Sequence, residues 1–272
     1  EEEGTYFAWP SIARGPHGEV LVVSYAGGAH THSHGRVVLY RSYDGGVTWD
    51  EGVVVADTIL DDRDPGILVT SDGTIIVSSR VAWWPDAADS RAIDPAAAQA
   101  LLSRYQGGYV IRSADGGHTW SEMFPYPFQP KGPIELQDGR LFAVGKVSAT
   151  TFRAYVSQDL GETWQPLGLI GGFPEFTEEG GQRIAHSYWE PHFVETDPGR
   201  IVVYVRAHPA AAGQATRERS AMWLATSEDG GRTWSRPVQT AVYGYPPHAL
   251  RLRDGRVLLT YGHRWYPYGQ RA

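Results

Sequence analysis

The chain has no cysteine among its 272 residues. This absence excludes disulfide bonds and catalysis by a thiol, and it fits any cellular compartment. Long hydrophobic runs are also missing. A membrane-spanning helix needs about 20 consecutive apolar residues, and the sequence has no such stretch. No signal peptide is visible, although a mature secreted form would have lost its signal. We leave the location unknown and favour a secreted or periplasmic form over a cytoplasmic one.

Positive charge is scarce relative to negative charge. Lys and Arg number 24 against 31 Asp and Glu, which gives a formal net charge of −7. We therefore expect no nucleic-acid partner and no membrane insertion, and an anionic ligand would need a local cluster of arginines. The 10 Trp and 15 Tyr suit both packed sheets and sugar sites. No cofactor is indicated, and the oligomeric state is left unknown.

One pattern, Ser-x-Asp-x-Gly-x-Thr-Trp, recurs four times, beginning at Ser42, Ser113, Ser157 and Ser227. Asp and Ser side chains bond to nearby backbone, and Gly supplies a backbone angle that other residues avoid. An extended segment precedes each copy and another follows its Trp. The pattern therefore predicts a hairpin turn whose Trp packs between sheets, within a repeat architecture.

A second repeat combines a proline, an apolar stretch, a turn that usually contains Asp-Gly, and a β-branched run. Its five copies begin at Trp9-Pro10, Asp64-Pro65, Lys131-Gly132-Pro133, Glu190-Pro191 and Pro246-Pro247. Proline fits the start of a strand, where a missing donor is tolerated. The repeat predicts the inner strand pairs of five blades in a single domain over residues 1–272.

Residues 80–106 interrupt the strands as an insertion. Asp94 as N-cap and Pro95 at the first helical position, followed by an Ala/Leu run, predict a short helix. The helix could be a lid over the mouth of the repeat fold or an excursion of the chain at its surface, and the sequence favours neither.

The four boxes resemble the Asp box, or BNR repeat, of sialidases and related β-propellers. In that family the box is a structural turn at the blade periphery, away from the active site. The resemblance implies an all-β, six-bladed sialidase-like β-propeller. Five hairpins and four boxes cover about four and a half to five blades. We therefore expect the chain to stop inside blade five, and we favour a fragment over an unusual ring closure.

The resemblance also implies site residues. Sialidases remove terminal sialic acids with retention, using three arginines that clamp the substrate carboxylate, a Tyr nucleophile activated by Glu, and an Asp acid/base. Glu190 matches the activating Glu, while Arg206 and Arg271 match the second and third arginines. A surface ion pair is the alternative for either arginine. The nucleophilic Tyr is expected after Ala272.

The first blade departs from the family. Ala8, in Phe7-Ala8-Trp9-Pro10, stands where the first Arg is expected, and the loop expected to carry the catalytic Asp contains His30, His32 and His34. These alternate, so they share one face of an extended segment. A His could carry the proton in place of Asp, the three could bind a metal, or they could be structural.

The start of blade two reads Asp61-Asp62-Arg63-Asp64. Arg63 could substitute for the missing Arg and Asp61 or Asp62 could supply the acid; a charge-balanced turn is the alternative. Propellers bind ligands where inner strands begin, which adds substrate-binding candidates at Trp9, His32, Tyr245 and His248. We assign no metal site.

These observations predict an exo-acting glycoside hydrolase of the sialidase type. Its partner would be a glycan or sialoglycoconjugate that carries terminal sialic acid or a related anionic sugar. Two alternatives stay open, since propellers host several functions. One is a polysaccharide lyase or another glycosidase on the same propeller, and the other is a non-catalytic glycan-binding propeller.

Overall fold

The computed structural model describes residues 5–86, 92–105, 107–127, 131–179, 181–209 and 216–272. In these ranges the chain forms five sheets, each built from strands that follow one another in the sequence. This order produces antiparallel meanders, which are the blades of a β-propeller. The all-β fold expected from the two repeats is confirmed.

The first two sheets have four strands each, in the order β1-β2-β3-β4 and β5-β6-β7-β8. Their strands are β1 Tyr6–Arg14, β2 Val20–Gly27, β3 Arg36–Ser42, β4 Val53–Ala56, β5 Asp61–Val69, β6 Ile75–Ala82, β7 Gly108–Ser113 and β8 Phe124–Pro125. The third sheet has the order β12-β11-β10-β9, from β9 Ile134–Glu135, β10 Leu141–Lys146, β11 Phe152–Ser157 and β12 Gln165–Ile170.

The fourth sheet has five strands and the fifth has three. The fourth contains β13 Phe176–Glu179, β14 Gln182–Asp197, β15 Arg200–Pro209, β16 Ala221–Ser227 and β17 Val238–Tyr243, in that order. The fifth contains β18 Pro247–Arg251, β19 Val257–His263 and β20 Gly269–Arg271.

The chain divides into two compact units. The first comprises Glu1–Glu135, Gly139–Ala143 and Ser157–Trp164, and the second comprises Leu136–Asp138, Val144–Val156 and Gln165–Ala272. The prediction of one domain over residues 1–272 stays a prediction.

Each unit has its own apolar core, because alternate residues of a strand point to the same face of its sheet. In the first unit, fully buried side chains of neighbouring sheets pack together, among them Leu21, Leu39, Ile75 and Tyr109. In the second unit, a smaller cluster of Val194, Val202 and Ala249 joins β14 and β15 to β18. Removing these side chains from water is the main stabilising contribution.

The helix expected in the 80–106 insertion is present as α1, Pro95–Tyr105. The carboxylate of Asp94 accepts hydrogen bonds from the backbone N–H groups of Ala96 and Ala97, as an N-cap does. The helix buries Ala98 and Tyr105 in the core of the first unit, beside β6 and the outermost strand β8. This packing favours the surface excursion over the lid. Residues 87–91 and 106 of the insertion lie outside the described residues.

The five predicted inner hairpins are confirmed. Each turn contains a glycine in the left-handed region, with φ between 80° and 94° at Gly18, Gly73, Gly139, Gly199 and Gly255. These turns join β1 to β2, β5 to β6, β9 to β10, β14 to β15 and β18 to β19.

The four Asp boxes are hairpin turns before the outermost strand of their sheets. In the first, Thr48 donates to the Asp44 carboxylate from its backbone N–H and from its hydroxyl, at 2.8 and 2.6 Å. The N–H of Gly46 donates to the hydroxyl of Ser42. The same bonds recur at Asp115, Asp159 and Asp229. The structural role predicted for the box is therefore confirmed.

The box tryptophans do not all pack as expected. Trp120 and Trp164 lie against apolar clusters of the first unit. Trp49 is 43% exposed, and its indole N–H donates to the carbonyl of Gly46. For Trp49 the prediction of packing between sheets is wrong, because this ring closes its own turn instead.

The described ranges contain no helix that is both long and apolar enough to cross a membrane.

Candidate functional site

Four of the five residues that open the copies of the second repeat share an uncommon backbone. Three of them lie within β1, β5 and β14, and the fourth lies before β9. Trp9, Asp64, Lys131 and Glu190 have positive φ values of 50°, 54°, 78° and 51°. In three of these hairpins the register also shifts, between Ala8 and Ser11, Arg63 and Gly66, and Trp189 and His192. A bulge of this kind changes the direction of side chains, and non-glycine residues in the left-handed region cluster at functional sites. These positions are therefore the candidate site residues to consider first.

In the second unit, the central contact is an ion pair between Glu190 and Arg206. Arg206 lies on β15 opposite Trp189, and its Nη1 donates to the Glu190 carboxylate at 2.8 Å. The two side chains are 29% and 18% exposed, so the pair is partly desolvated yet reachable by a ligand. Nε of Arg206 is buried and has no hydrogen-bond partner within the described residues.

Tyr245 supports the guanidinium of this pair. The guanidinium carbon of Arg206 lies 3.6 Å from the centre of the Tyr245 ring, and that of Arg264 lies at 5.1 Å. Arg264 also donates from Nε to the carbonyl of Tyr245 at 3.4 Å. Such stacking holds a guanidinium plane in one orientation. The structure thus brings Glu190, Arg206 and Tyr245 together, three of the residues singled out by the sequence.

His248 and Arg271 are placed differently. The ring of His248 lies 4.1 Å from that of His192, whose Nδ1 accepts the N–H of Ala249. This contact joins β14 to β18. Arg271 is exposed on β20, and its guanidinium donates to the carbonyl of Pro267. Within the described residues, Arg271 does not contact Glu190 or Arg206.

In the first unit, Arg63 is held between two indole rings. Its guanidinium carbon lies 4.4 Å from the ring centre of Trp9 and 5.2 Å from that of Trp84. Carboxylate oxygens of Asp61 and Asp64 lie 3.3 and 3.5 Å from its nitrogens. Arg63 is only 6% exposed, so the arrangement fixes its orientation and leaves little of it open to a ligand.

Asp61 and Asp62 are both fully buried. Asp61 accepts from the indole N–H of Trp84 at 2.8 Å and pairs with Arg63, while burial raises its pKa. Asp62 accepts from the Tyr109 hydroxyl and from the Thr58 N–H, and burial raises its pKa to about 7. Because neither carboxyl reaches the surface, this geometry favours structural roles: Asp61 orients Arg63 and Asp62 stabilises the core.

The three histidines do not lie on an extended strand, so the alternation that would give them one face is not formed. Their segment forms bends instead of a strand. His30 is exposed, with Nδ1 3.1 Å from the Tyr6 hydroxyl and its ring 5.0 Å from that of Trp9. His32 instead accepts the backbone N–H of His34. In the part of the chain that the structure describes, no three His, Asp or Glu side chains are grouped as metal ligands.

Several residues of these clusters were missed by sequence reasoning. In the first unit, Tyr6 and Tyr25 pack on Trp9, and Trp84 packs on Arg63. In the second unit, Arg264 stacks on Tyr245, and Lys146 lies over the ring of Trp189, the neighbour of Glu190. One signal was available for Arg264. It directly follows β19, the second strand of its inner hairpin, just as Arg206 lies near the end of β15, the second strand of its own hairpin. The aromatic residues carry no such signal, because their contacts depend on how neighbouring strands pack.

Comparison with known proteins supports the fold. A family model described as a BNR repeat-like domain matches residues 94–266, which is more than half of the chain. A search of curated proteins gave no match. Among solved structures, a protein of unknown function from Dyadobacter fermentans is 26% identical with a TM-score of 0.76, and the alignment covers 99% of this chain and 79% of that one.

Two enzymes are more distant. A variant of the NanB sialidase from Streptococcus pneumoniae is 15% identical with a TM-score of 0.65, and the alignment covers 94% of this chain but 56% of NanB. An α-L-arabinanase from Penicillium chrysogenum, solved with arabinobiose, is 15% identical with a TM-score of 0.56, over 89% of this chain and 70% of that one. The chain therefore spans little more than half of the NanB sialidase. It belongs to the BNR repeat-like domain family, and its fold is that of the sialidase-like β-propellers.

Proposed function

We propose that this protein is an exo-acting glycoside hydrolase that removes a terminal anionic sugar, most simply sialic acid, from a glycan. The observation that carries the proposal is the Glu190–Arg206 ion pair stacked on Tyr245. Glu190 lies within β14, at the register shift of its hairpin, in a strained backbone conformation with φ of 51°. Strain of this kind persists where a side chain must point in a particular direction.

The contacts give Arg206 and Glu190 separate roles. Arg206 is held by a carboxylate on one side and an aromatic ring on another, and its side chain is 18% exposed. A guanidinium prepared in this way suits the two oxygens of a sugar carboxylate. Glu190 would accept a proton from the nucleophile, as a general base does. The sequence left His30, Asp61 and Asp62 open as proton carriers. Of these three only His30 is exposed, so we propose His30 for this role.

The comparisons support glycosidase chemistry at a coarse level. Proteins of this fold include enzymes described as a sialidase and as an arabinanase. A second candidate, a glycosidase for a neutral sugar, is favoured by the first blade. There Ala8 stands where the sialidase family has an arginine, and the aromatic rings of Tyr6, Trp9 and His30 pack together.

A fluorogenic sialoside tests the proposal directly. We expect the full-length parent protein to release the fluorophore. Glu190→Gln in the same full-length protein keeps the size of the side chain and should lose at least about 100-fold in kcat. Glu228→Gln is the matched control, because Glu228 pairs with Arg200 at 3.0 Å on the exposed surface. No turnover by the parent, together with equal sialoside binding by the parent and Glu190→Gln, would rule out the proposal.

A further inference from the structure

Lys146, at the end of β10, lies against two side chains of β14. Its Nζ donates to the hydroxyl of Ser187 at 3.3 Å and lies 2.9 Å from the centre of the Trp189 ring. Ser187 and Trp189 are two residues apart on a strand, so both point to the same face of the sheet. The three side chains therefore form one cluster, which we call the Lys146 cluster.

Within the part of the chain that the structure describes, the positive charge of the Lys146 cluster has no counter-ion. No carboxylate of the described residues pairs with Lys146, and burial lowers its pKa to about 8. The hydroxyl of Ser187 and the ring of Trp189 satisfy it only in part. A partly buried cation without an anion is costly, so a bound anion would be favoured there.

The cluster is also open to a ligand and adjacent to the proposed sugar site. Trp189 is 47% exposed, which leaves ring surface on which a sugar could stack. Trp189 precedes Glu190 in the chain and lies opposite Arg206 in the β14–β15 ladder. A ligand on the Lys146 cluster would thus lie next to the residues that we propose to hold the terminal sugar.

We propose that Lys146, Ser187 and Trp189 form an oxyanion subsite that binds a carboxylate or sulfate substituent of the glycan. Lys146 supplies the charge and hydrogen-bond donors, Ser187 orients the ammonium group, and Trp189 supports the sugar ring. This inference rests on the proposed function for its biological ligand, and it adds a second acidic group to the expected substrate. The preferred substrates would then be uronate-containing or sulfated glycans.

Acylation of the lysine side chains tests this subsite by a measurement that does not depend on enzyme activity. The chain contains only two lysines, Lys131 and Lys146, so the extent of labelling at each is easily read by peptide mass spectrometry. The probes are glucuronic acid, galactose 6-sulfate and neutral galactose. We expect an acidic probe at roughly ten times its Kd to slow labelling of Lys146 about tenfold, because only the ligand-free fraction reacts. Labelling of Lys131 and the galactose control should not change.

The two acidic probes distinguish the source of the oxyanion. Protection by glucuronic acid alone assigns a carboxylate, and protection by galactose 6-sulfate alone assigns a sulfate. If neither acidic probe protects Lys146 better than galactose does, or if both lysines are protected equally, the subsite is overturned.

Two variants separate charge from packing. Lys146→Met keeps much of the side-chain length without the charge and should lose binding of the acidic probe at every pH. In the parent, calorimetric affinity for the probe should fall about tenfold between pH 7 and 9, as the amine with a pKa of about 8 loses its proton. Lys146→Arg stays charged and should bind equally at both pH values. Unchanged affinity in Lys146→Met would contradict the proposal.

The outcomes also separate this proposal from the proposed function. Protection of Lys146 without sialoside turnover would support the subsite while the hydrolase proposal fails. Turnover without protection would support the hydrolase and overturn the subsite.

Discussion

The strained backbone of Glu190 leads to a prediction that separates strain from charge. Glu190→Gly and Glu190→Ala both remove the carboxylate and its ion pair with Arg206, so the loss of that pair cancels when the two variants are compared. The remaining difference is the β-carbon of alanine, at a position where the backbone φ is 51°. Glycine should therefore give the more stable protein of the two, although both variants lack the proposed catalytic group.

The size of the effect follows from two opposing contributions. A β-carbon in the left-handed region costs roughly 1–2 kcal/mol. Glycine has greater freedom in the unfolded chain, which offsets about 0.5–1 kcal/mol of that gain. We expect a net difference in unfolding free energy of about 1 kcal/mol in favour of glycine, which corresponds to a Tm difference of roughly 2–4 °C for a chain of this size.

Urea denaturation measures this difference as a shift in the midpoint at unchanged slope. Leu160 provides a second test, because it has φ of 53° at a position where the other three boxes have Gly45, Gly116 and Gly230. Glycine should again be favoured over alanine there. At Glu178, an exposed residue of β13 without positive φ, alanine should be favoured. The reasoning is refuted if alanine is as stable as glycine at position 190.

Three further predictions concern buried or hydrogen-bonded carboxyls. Hydrogen bonds from Thr48 and Ser42 lower the pKa of Asp44 from 3.8 to about 2, so stability that is present above about pH 4 should be lost as pH falls through about 2. The free energy of unfolding, measured by urea titration, should fall less in Asp44→Asn than in the parent as the pH is lowered from about 4 to 2. Burial raises the pKa of Asp62 to about 7, so its contribution to stability is complete below pH 3.8 and is lost as pH rises through about 7. Asp62→Asn should remove this fall between about pH 4 and 7, and an unchanged pH profile would contradict the burial argument. Glu195 accepts the N–H groups of Gln137 and Gly199, so Glu195→Gln should destabilise by about 1–3 kcal/mol in thermal or urea unfolding, whereas no change would contradict the assigned contacts.

The fold was predictable because its signals are local. An Asp box lies within eight residues, and the carboxylate of Asp44 accepts hydrogen bonds from Ser42, Val47 and Thr48 of the same box. The inner hairpins likewise depend on glycines such as Gly73 and Gly255 at their turns. Trp49 shows the limit, since the same local pattern leaves this ring exposed, whereas Trp120 is packed against a core.

The site was predictable only where a side chain follows from strand position. Glu190 lies within β14 and Arg206 near the end of the paired strand β15, and their contact follows from the pairing of Trp189 with Arg206. Burial of Asp62 could not be expected, because it depends on Tyr109 and Thr58 from other parts of the chain. The Lys146 cluster was also hidden, since Lys146 is 41 residues from Ser187 in the sequence.

The role of Arg206 is the central claim, and one measurement tests it most directly. This measurement is the ratio of kcat/KM for a terminal acidic sugar to kcat/KM for its neutral methyl ester, in the parent and in Arg206→Met. The parent should prefer the acidic sugar by at least about 100-fold, and the variant should lose most of that preference, because the guanidinium binds the carboxylate that the ester lacks. An equal preference in both proteins would contradict the account.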